Sequence, residues 1–153
     1  MKKRFLLGVA PILVLACSLS SSAQDMGYWR AGSSSAKTVT GDITISDSKL
    51  AINFSRFTIA QIRKLQPAEA LAAFDADASA GGSGNLYRLS IPASKQFSHH
   101  NTLCGSDETQ WMATYAAGNN LQVAFFSGSS MPVLTAEALT NAPNLCGTFS
   151  YVR

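Results

Sequence analysis

Apolar residues alternate with polar ones in two paired runs, each folded about a short polar break. This period of two restricts the chain to antiparallel β-structure more than any other feature does. In the first pair, Val39, Ile43 and Ile45 share a face, Asp47-Ser48 makes a turn, and Leu50, Ile52 and Phe54 alternate on the way back. In the second, Trp111, Ala113 and Tyr115 line a face, Gly118-Asn119-Asn120 reverses the chain, and Leu121, Val123 and Phe125 return. Successive side chains of a strand point to opposite sides, so such runs predict hairpins with one buried face. Leu86 to Ile91 reads as a strand stopped by Pro92, and Phe149 and Tyr151 sit on a last strand that closes the sheet beside an earlier one. Phe57 to Leu65 begins with period two and slips to period three at Ile59, Ile62 and Leu65, which leaves its type open. Pro67 to Phe74 is Ala-rich with Pro at its start, a short helix, and Thr135 would cap a helical turn reaching Asn141. The expectation is a mainly β domain: a small antiparallel barrel or sandwich of six to eight strands, with one or two short helices.

Ahead of that domain, Lys2-Lys3-Arg4 precedes an apolar stretch from Phe5 to Leu19, and Ser21-Ser22-Ala23 places small residues before Gln24. This is the layout of a secretory signal peptide over residues 1–23. A membrane-spanning anchor needs about 20 apolar residues, whereas Pro11 interrupts this run and a Ser cluster ends it. Val14-Leu15-Ala16-Cys17 also resembles a bacterial lipobox, which would make Cys17 a lipidated first residue. The expected setting is therefore periplasmic or secreted, with a lipoprotein anchored through Cys17 as the alternative. Residues 24–37, with Gly32-Ser33-Ser34-Ser35, read as a flexible lead-in on which Tyr28 and Trp29 can dock, and residues 38–153 as the domain.

Export also accounts for the cysteines, which are Cys17, Cys104 and Cys146. With Cys17 removed or acylated, Cys104 and Cys146 remain in an oxidising compartment, where pairing is the default. The competing arrangement is a metal site built from both with His99 or His100, but no Cys-x-x-Cys or His-x-x-x-His spacing supports it.

The net charge of +3 misleads in the same way. Three of the twelve basic residues are Lys2, Lys3 and Arg4, so from Gln24 onward nine basic residues face nine acidic ones. A neutral domain with scattered cations is no nucleic-acid binder. Only those 18 of its 130 residues are charged, so Ser, Thr, Asn and Gly do much of the solvating.

In order along the second half stand Leu86-Tyr87-Arg88, Asn101-Thr102-Leu103-Cys104-Gly105, Trp111, Val123-Ala124-Phe125-Phe126-Ser127-Gly128 and Leu145-Cys146-Gly147-Thr148-Phe149-Ser150-Tyr151. The pattern resembles a group of small exported bacterial proteins of unassigned function, and the likeness reaches back to Gly41-Asp42-Ile43-Thr44-Ile45. The resemblance implies paired cysteines, a β-rich domain and an envelope or extracellular setting. It brings no catalytic residue.

Candidate chemistry is sparse. His99 and His100 are the only histidines, so any Ser-His-Asp arrangement must use their loop, and no Gly-x-Ser-x-Gly elbow accompanies them. At an interface their titration would make binding pH-dependent. Asp75 with Asp77, and Asp107 with Glu108, lack both the ladder of a calcium loop and a partner for acid–base work. Gly81-Gly82-Ser83-Gly84 and Ser127-Gly128-Ser129-Ser130 lack the Lys-Ser or Lys-Thr of a phosphate loop. No cofactor motif is present. Phe125 and Phe126 are adjacent, so one ring leaves the core unless the sheet is covered on both sides. An exposed Phe126 beside Ser129 and Met131 would form a partner-binding patch with His99, His100 and Asn101. The expectation is thus a non-enzymatic binding or inhibitor-type domain contacting an envelope or extracellular protein. The alternative is a carrier holding a small apolar ligand in a barrel lined by Trp111, Tyr115 or Phe125.

Overall fold

The computed structural model describes residues 24–153, so the segment with the signal-peptide and Cys17 assignments lies outside the described residues. Eight strands follow one another around a closed antiparallel barrel: β1 (Gly27–Ala31), β2 (Ile43–Ile45), β3 (Lys49–Ile52), β4 (Ser55–Lys64), β5 (Ser83–Ile91), β6 (Thr109–Ala117), β7 (Asn120–Ser127) and β8 (Leu145–Val152). Each strand pairs with its neighbours in sequence, and β1 pairs with β8 through Arg30↔Val152 and Ala31↔Tyr151. Closure removes the free edges that an open sheet would expose. Three short helices decorate the barrel, α1 (Ser34–Val39), α2 (Pro67–Phe74) and α3 (Ala136–Thr140), one more than the sequence suggests. None of the described helices is long and apolar enough to cross a membrane.

Both sequence-predicted hairpins form, β2–β3 and β6–β7. The inward residues Ile43, Ile45, Leu50, Ile52, Leu121, Val123 and Phe125 lie in one core with Trp29, Tyr87, Met112 and Tyr151. Large side chains therefore fill the barrel. Phe125 packs edge-on against Phe149, with ring centroids 5.7 Å apart. Trp111 and Tyr115 belong to a second apolar layer outside the barrel, on β5–β7, where Ala70 and Phe74 of α2 and Leu134 cover them. The cavity geometry that a carrier lined by Trp111 or Tyr115 would need is not the one these rings adopt.

Cover on both sides of β7 explains the adjacent phenylalanines: Phe125 faces inward, Phe126 faces the outer layer, and both are fully buried. Burying such a ring contributes about 1.5–3 kcal/mol. The two-sided cover that the adjacent phenylalanines require is supplied by α2, α3 and the chain between β7 and α3, so the partner-binding patch that an exposed Phe126 would form is absent.

The flexible lead-in is corrected as well. Trp29 and Asp25 are completely buried, and Gly32 and Ser33 both donate backbone N–H groups to the Ser150 carbonyl, at 2.8 and 3.0 Å. Ser33 caps α1, its hydroxyl accepting from Ala36 N–H at 3.1 Å. Gly and Ser here serve a cap and a crossing against β8 rather than flexibility. Val39, grouped with β2 by its alternation, instead ends α1.

The period slip near Ile62 is a β-bulge. The β4–β5 register shifts between Gln61 and Arg63, which leaves Ile62 exposed and redirects the chain into α2. There Glu69 accepts from Gln66 N–H at 2.8 Å and from both terminal nitrogens of Arg63 at 2.7 Å. The expected loop from Asp75 to Asn85 is shorter than its glycines suggest, because Ser83 and Gly84 already pair with Ala116 and Tyr115. Cys104 is bonded to Cys146 across 42 residues, tying the β5–β6 connection to the start of β8.

Candidate functional site

The outer surface of β5–β7 is covered, whereas that of β1–β4 is bare. Register places Tyr28 opposite Thr44, Thr44 opposite Ala51, and Ala51 opposite Arg56. These four form one row across four strands, with small side chains in the middle and long ones at both ends. Together with Asp42, Asn53 and Phe54 they bound a depression of about 430 Å³. The surface continues past Lys49 and Ser46 in one direction, and past Asp42 to Arg30, Lys37 and Gly41 in the other.

Two exposed rings wall this depression. Tyr28 is 56% exposed and Phe54 100%. Tyr28 is nevertheless held in place: its hydroxyl donates to Asp42 Oδ2, while Ala31 N–H donates to Asp42 Oδ1 at 2.9 Å. The shared hydrogen bond raises the Tyr28 pKa, and the same bond, with the Ala31 N–H, lowers that of Asp42. Each oxygen of the Asp42 carboxylate thus accepts one hydrogen bond from the protein, and that from Tyr28 anchors the exposed ring at its hydroxyl.

Phe54 is placed by the β3–β4 turn. Ile52 pairs with Ser55, leaving the two-residue loop Asn53-Phe54, and both residues have positive φ, 45° and 69°. A turn of this primed type prefers Asn-Gly, because a side chain at positive φ crowds its own backbone. Phe at the second position is locally unfavourable and, being wholly exposed, gains no burial in return.

The sequence-predicted candidates lie elsewhere and are not brought together. His99 and His100 occupy a 3-10 turn (Ser98–His100) with φ of 54° and 61° and are exposed. That loop docks on the end of α1: the His99 ring and the Asn101 amide both bond the Thr38 carbonyl, at 3.2 and 3.1 Å, and His100 lies 3.4 Å from Gln96. Ser129 and Met131 are exposed beyond β7, where the Gly128 carbonyl accepts from Trp111 Nε1 at 3.1 Å. Among the described residues no hydrogen bond joins these two segments, and Phe126 lies beneath the surface. Cys104 and Cys146 are consumed by their disulfide. No group of three potential metal ligands occurs among the described residues.

Sequence reasoning also missed a buried polar centre at one end of the barrel. Asp25 Oδ2 accepts from Asn85 Nδ2 at 3.0 Å, Tyr87 Oη at 2.8 Å and Thr114 Oγ1 at 2.5 Å. Burial, and then the adjacent Asp25 charge, push the Tyr87 hydroxyl far above its ordinary pKa. Arg153 closes this end, donating to the Gln24 and Met26 carbonyls at 2.6 and 3.3 Å and stacking 4.0 Å from the Trp29 ring centroid. This cluster joins the two ends of the described chain, and Asp25 Oδ1 is buried there without a hydrogen-bond partner.

Comparison with family models, with curated proteins and with solved structures returns no match.

Proposed function

We propose that the chain is an exported, non-enzymatic binding domain that contacts another macromolecule of the bacterial envelope or exterior through the outer surface of β1–β4. One observation carries this reading: Phe54 stands entirely in solvent, in a backbone conformation costing an L-residue about 1–2 kcal/mol. A ring that weakens its own turn and packs against nothing contributes to a contact made after folding. Tyr28, fixed by Asp42, is the second anchor, and rigid aromatic anchors lose little entropy on binding. Export by a signal peptide ending at Ala23, with lipidation of Cys17 as the alternative, belongs to the same proposal and rests on the composition of residues 1–23.

Photo-crosslinking in the producing cell tests it. A benzophenone side chain at position 54 is expected to yield a discrete adduct, and one at position 133, also exposed but beyond β7, is not. No adduct from position 54, or the same adducts from both positions, refutes the reading.

A further inference from the structure

We infer that the macromolecule recognised by the β1–β4 surface is a linear, carboxylate-bearing polysaccharide lying across the four strands. The inference rests on the binding role proposed above and names the chemistry of the partner.

Charge is the first support. Arg56 and Lys49 stand on one side of the Tyr28–Phe54 depression, and Arg30 and Lys37 on the other. The one carboxylate lining the whole surface is Asp42, whose oxygens already accept from Tyr28 and Ala31. Among the described residues the only ion pair is Arg63–Glu69, so these four cations have no carboxylate partner there. A domain with no net charge thus gathers unpaired cations along one trough, where Arg offers a paired donor geometry that matches a carboxylate.

The lining is the second support. Between the cations lie two aromatic faces, Tyr28 and Phe54, and the hydroxyl and amide groups of Thr44 and Asn53. The C–H face of a sugar ring packs on an aromatic face, while its hydroxyls both donate and accept, as Thr and Asn do. Strands lie about 4.8 Å apart, so the row from Tyr28 to Arg56 spans roughly 14 Å, longer than a single sugar ring and suited to a chain.

Topology argues against an acidic peptide, the other carboxylate-bearing polymer. A peptide that binds by adding a strand needs a free sheet edge, and this closed barrel offers none. Laid across the strands, its backbone N–H and C=O groups would be covered without partners.

The test is titration calorimetry of the purified protein against polygalacturonate, with dextran as the neutral polymer and poly-L-glutamate as the acidic peptide. Polygalacturonate is expected to bind at least tenfold more tightly than either and to weaken as salt is raised. Arg56→Glu, Tyr28→Ala and Phe54→Gly should each weaken it about tenfold. Lys64→Glu, roughly 25 Å along β4 from Arg56, should leave it unchanged. Circular dichroism confirms that each variant is folded. No binding of polygalacturonate, equal binding of poly-L-glutamate, or equal sensitivity to Lys64→Glu overturns the inference. If polygalacturonate fails to bind while position 54 still crosslinks to a protein, this inference falls and the binding role stands; if both fail, both fall.

Discussion

Replacing Phe54 by glycine should make the protein more stable and less able to bind. The loop Asn53-Phe54 closes the Ile52↔Ser55 pair with φ of 45° and 69°. Holding an L-residue with a bulky side chain in the left-handed region costs about 1–2 kcal/mol. Glycine removes that cost but gives back about 0.5–1 kcal/mol through the extra freedom of the unfolded chain. Because the ring is 100% exposed, no buried area is lost, and the net gain is about 0.5–1 kcal/mol. For a domain of this size that raises the melting temperature by about 2–4 °C. Phe54→Ala is the matched reference: it removes the ring but keeps a Cβ at positive φ, so its stability should stay within about 0.5 kcal/mol of the parent. Urea denaturation of the three proteins, fitted for midpoint and slope, measures the difference. A glycine variant less stable than the parent would mean that the ring supports the fold. The argument from a strained, exposed aromatic to a binding role would then fail, and the binding role would rest on crosslinking alone.

Other substitutions probe the supporting structure. Asp25→Ala leaves three buried donors, on Asn85, Tyr87 and Thr114, without their acceptor, and should cost about 3–5 kcal/mol by chemical denaturation. Asp25→Asn keeps an acceptor oxygen and should cost clearly less; equal losses would show that hydrogen bonding is not what this residue provides. Removing the 42-residue cross-link with the double variant Cys104→Ser/Cys146→Ser should lower stability by about 4 kcal/mol, and reduction of the parent should match it. The pKa values of Asp42, Glu69 and Asp77 are lowered, chiefly by hydrogen bonds from Tyr28, Arg63 and Ser79 respectively. A lowered folded-state pKa contributes stability that is full above the unfolded value and is lost as pH falls through the folded one. Stability should therefore be level above about pH 5 and decline below about pH 4. Asp42→Asn should flatten that decline slightly, because an exposed pair contributes little.

What could be read from the chain was local or covalent. Alternation over a few residues marked Ile43, Ile45, Leu50 and Ile52 as one buried face, Pro67 and Thr135 marked helix starts, and the expectation of an oxidising compartment paired Cys104 with Cys146, as the structure has them. Each of these depends on neighbours in sequence or on a bond whose partners were the only two cysteines left. The same reasoning misplaced Phe54, because alternation carries on formally into a turn: Phe54 continues the pattern of Leu50 and Ile52 but stands at the apex, where there is no face. It stalled at Ile62 because a single bulged residue shifts the period. It read residues 24–37 as a flexible lead-in on which Tyr28 and Trp29 can dock, because the pairing of β1 with β8, at the other end of the chain, leaves no mark in local sequence.

The bare surface was beyond reach for a related reason. Tyr28, Thr44, Ala51 and Arg56 become one row only when four strands adopt one register, and single-strand periodicity says nothing about register between distant segments. A period of two states that a strand has two faces. It does not state which outer faces will be covered, because the cover over β5–β7 comes from α2, α3 and the chain after β7, segments outside those strands. The amino-acid order therefore specified a disulfide-linked antiparallel β-domain. Closure through β1 and β8, and the one-sided placement of the helices, determined that Phe126 is core and that Tyr28 and Phe54 face the solvent together.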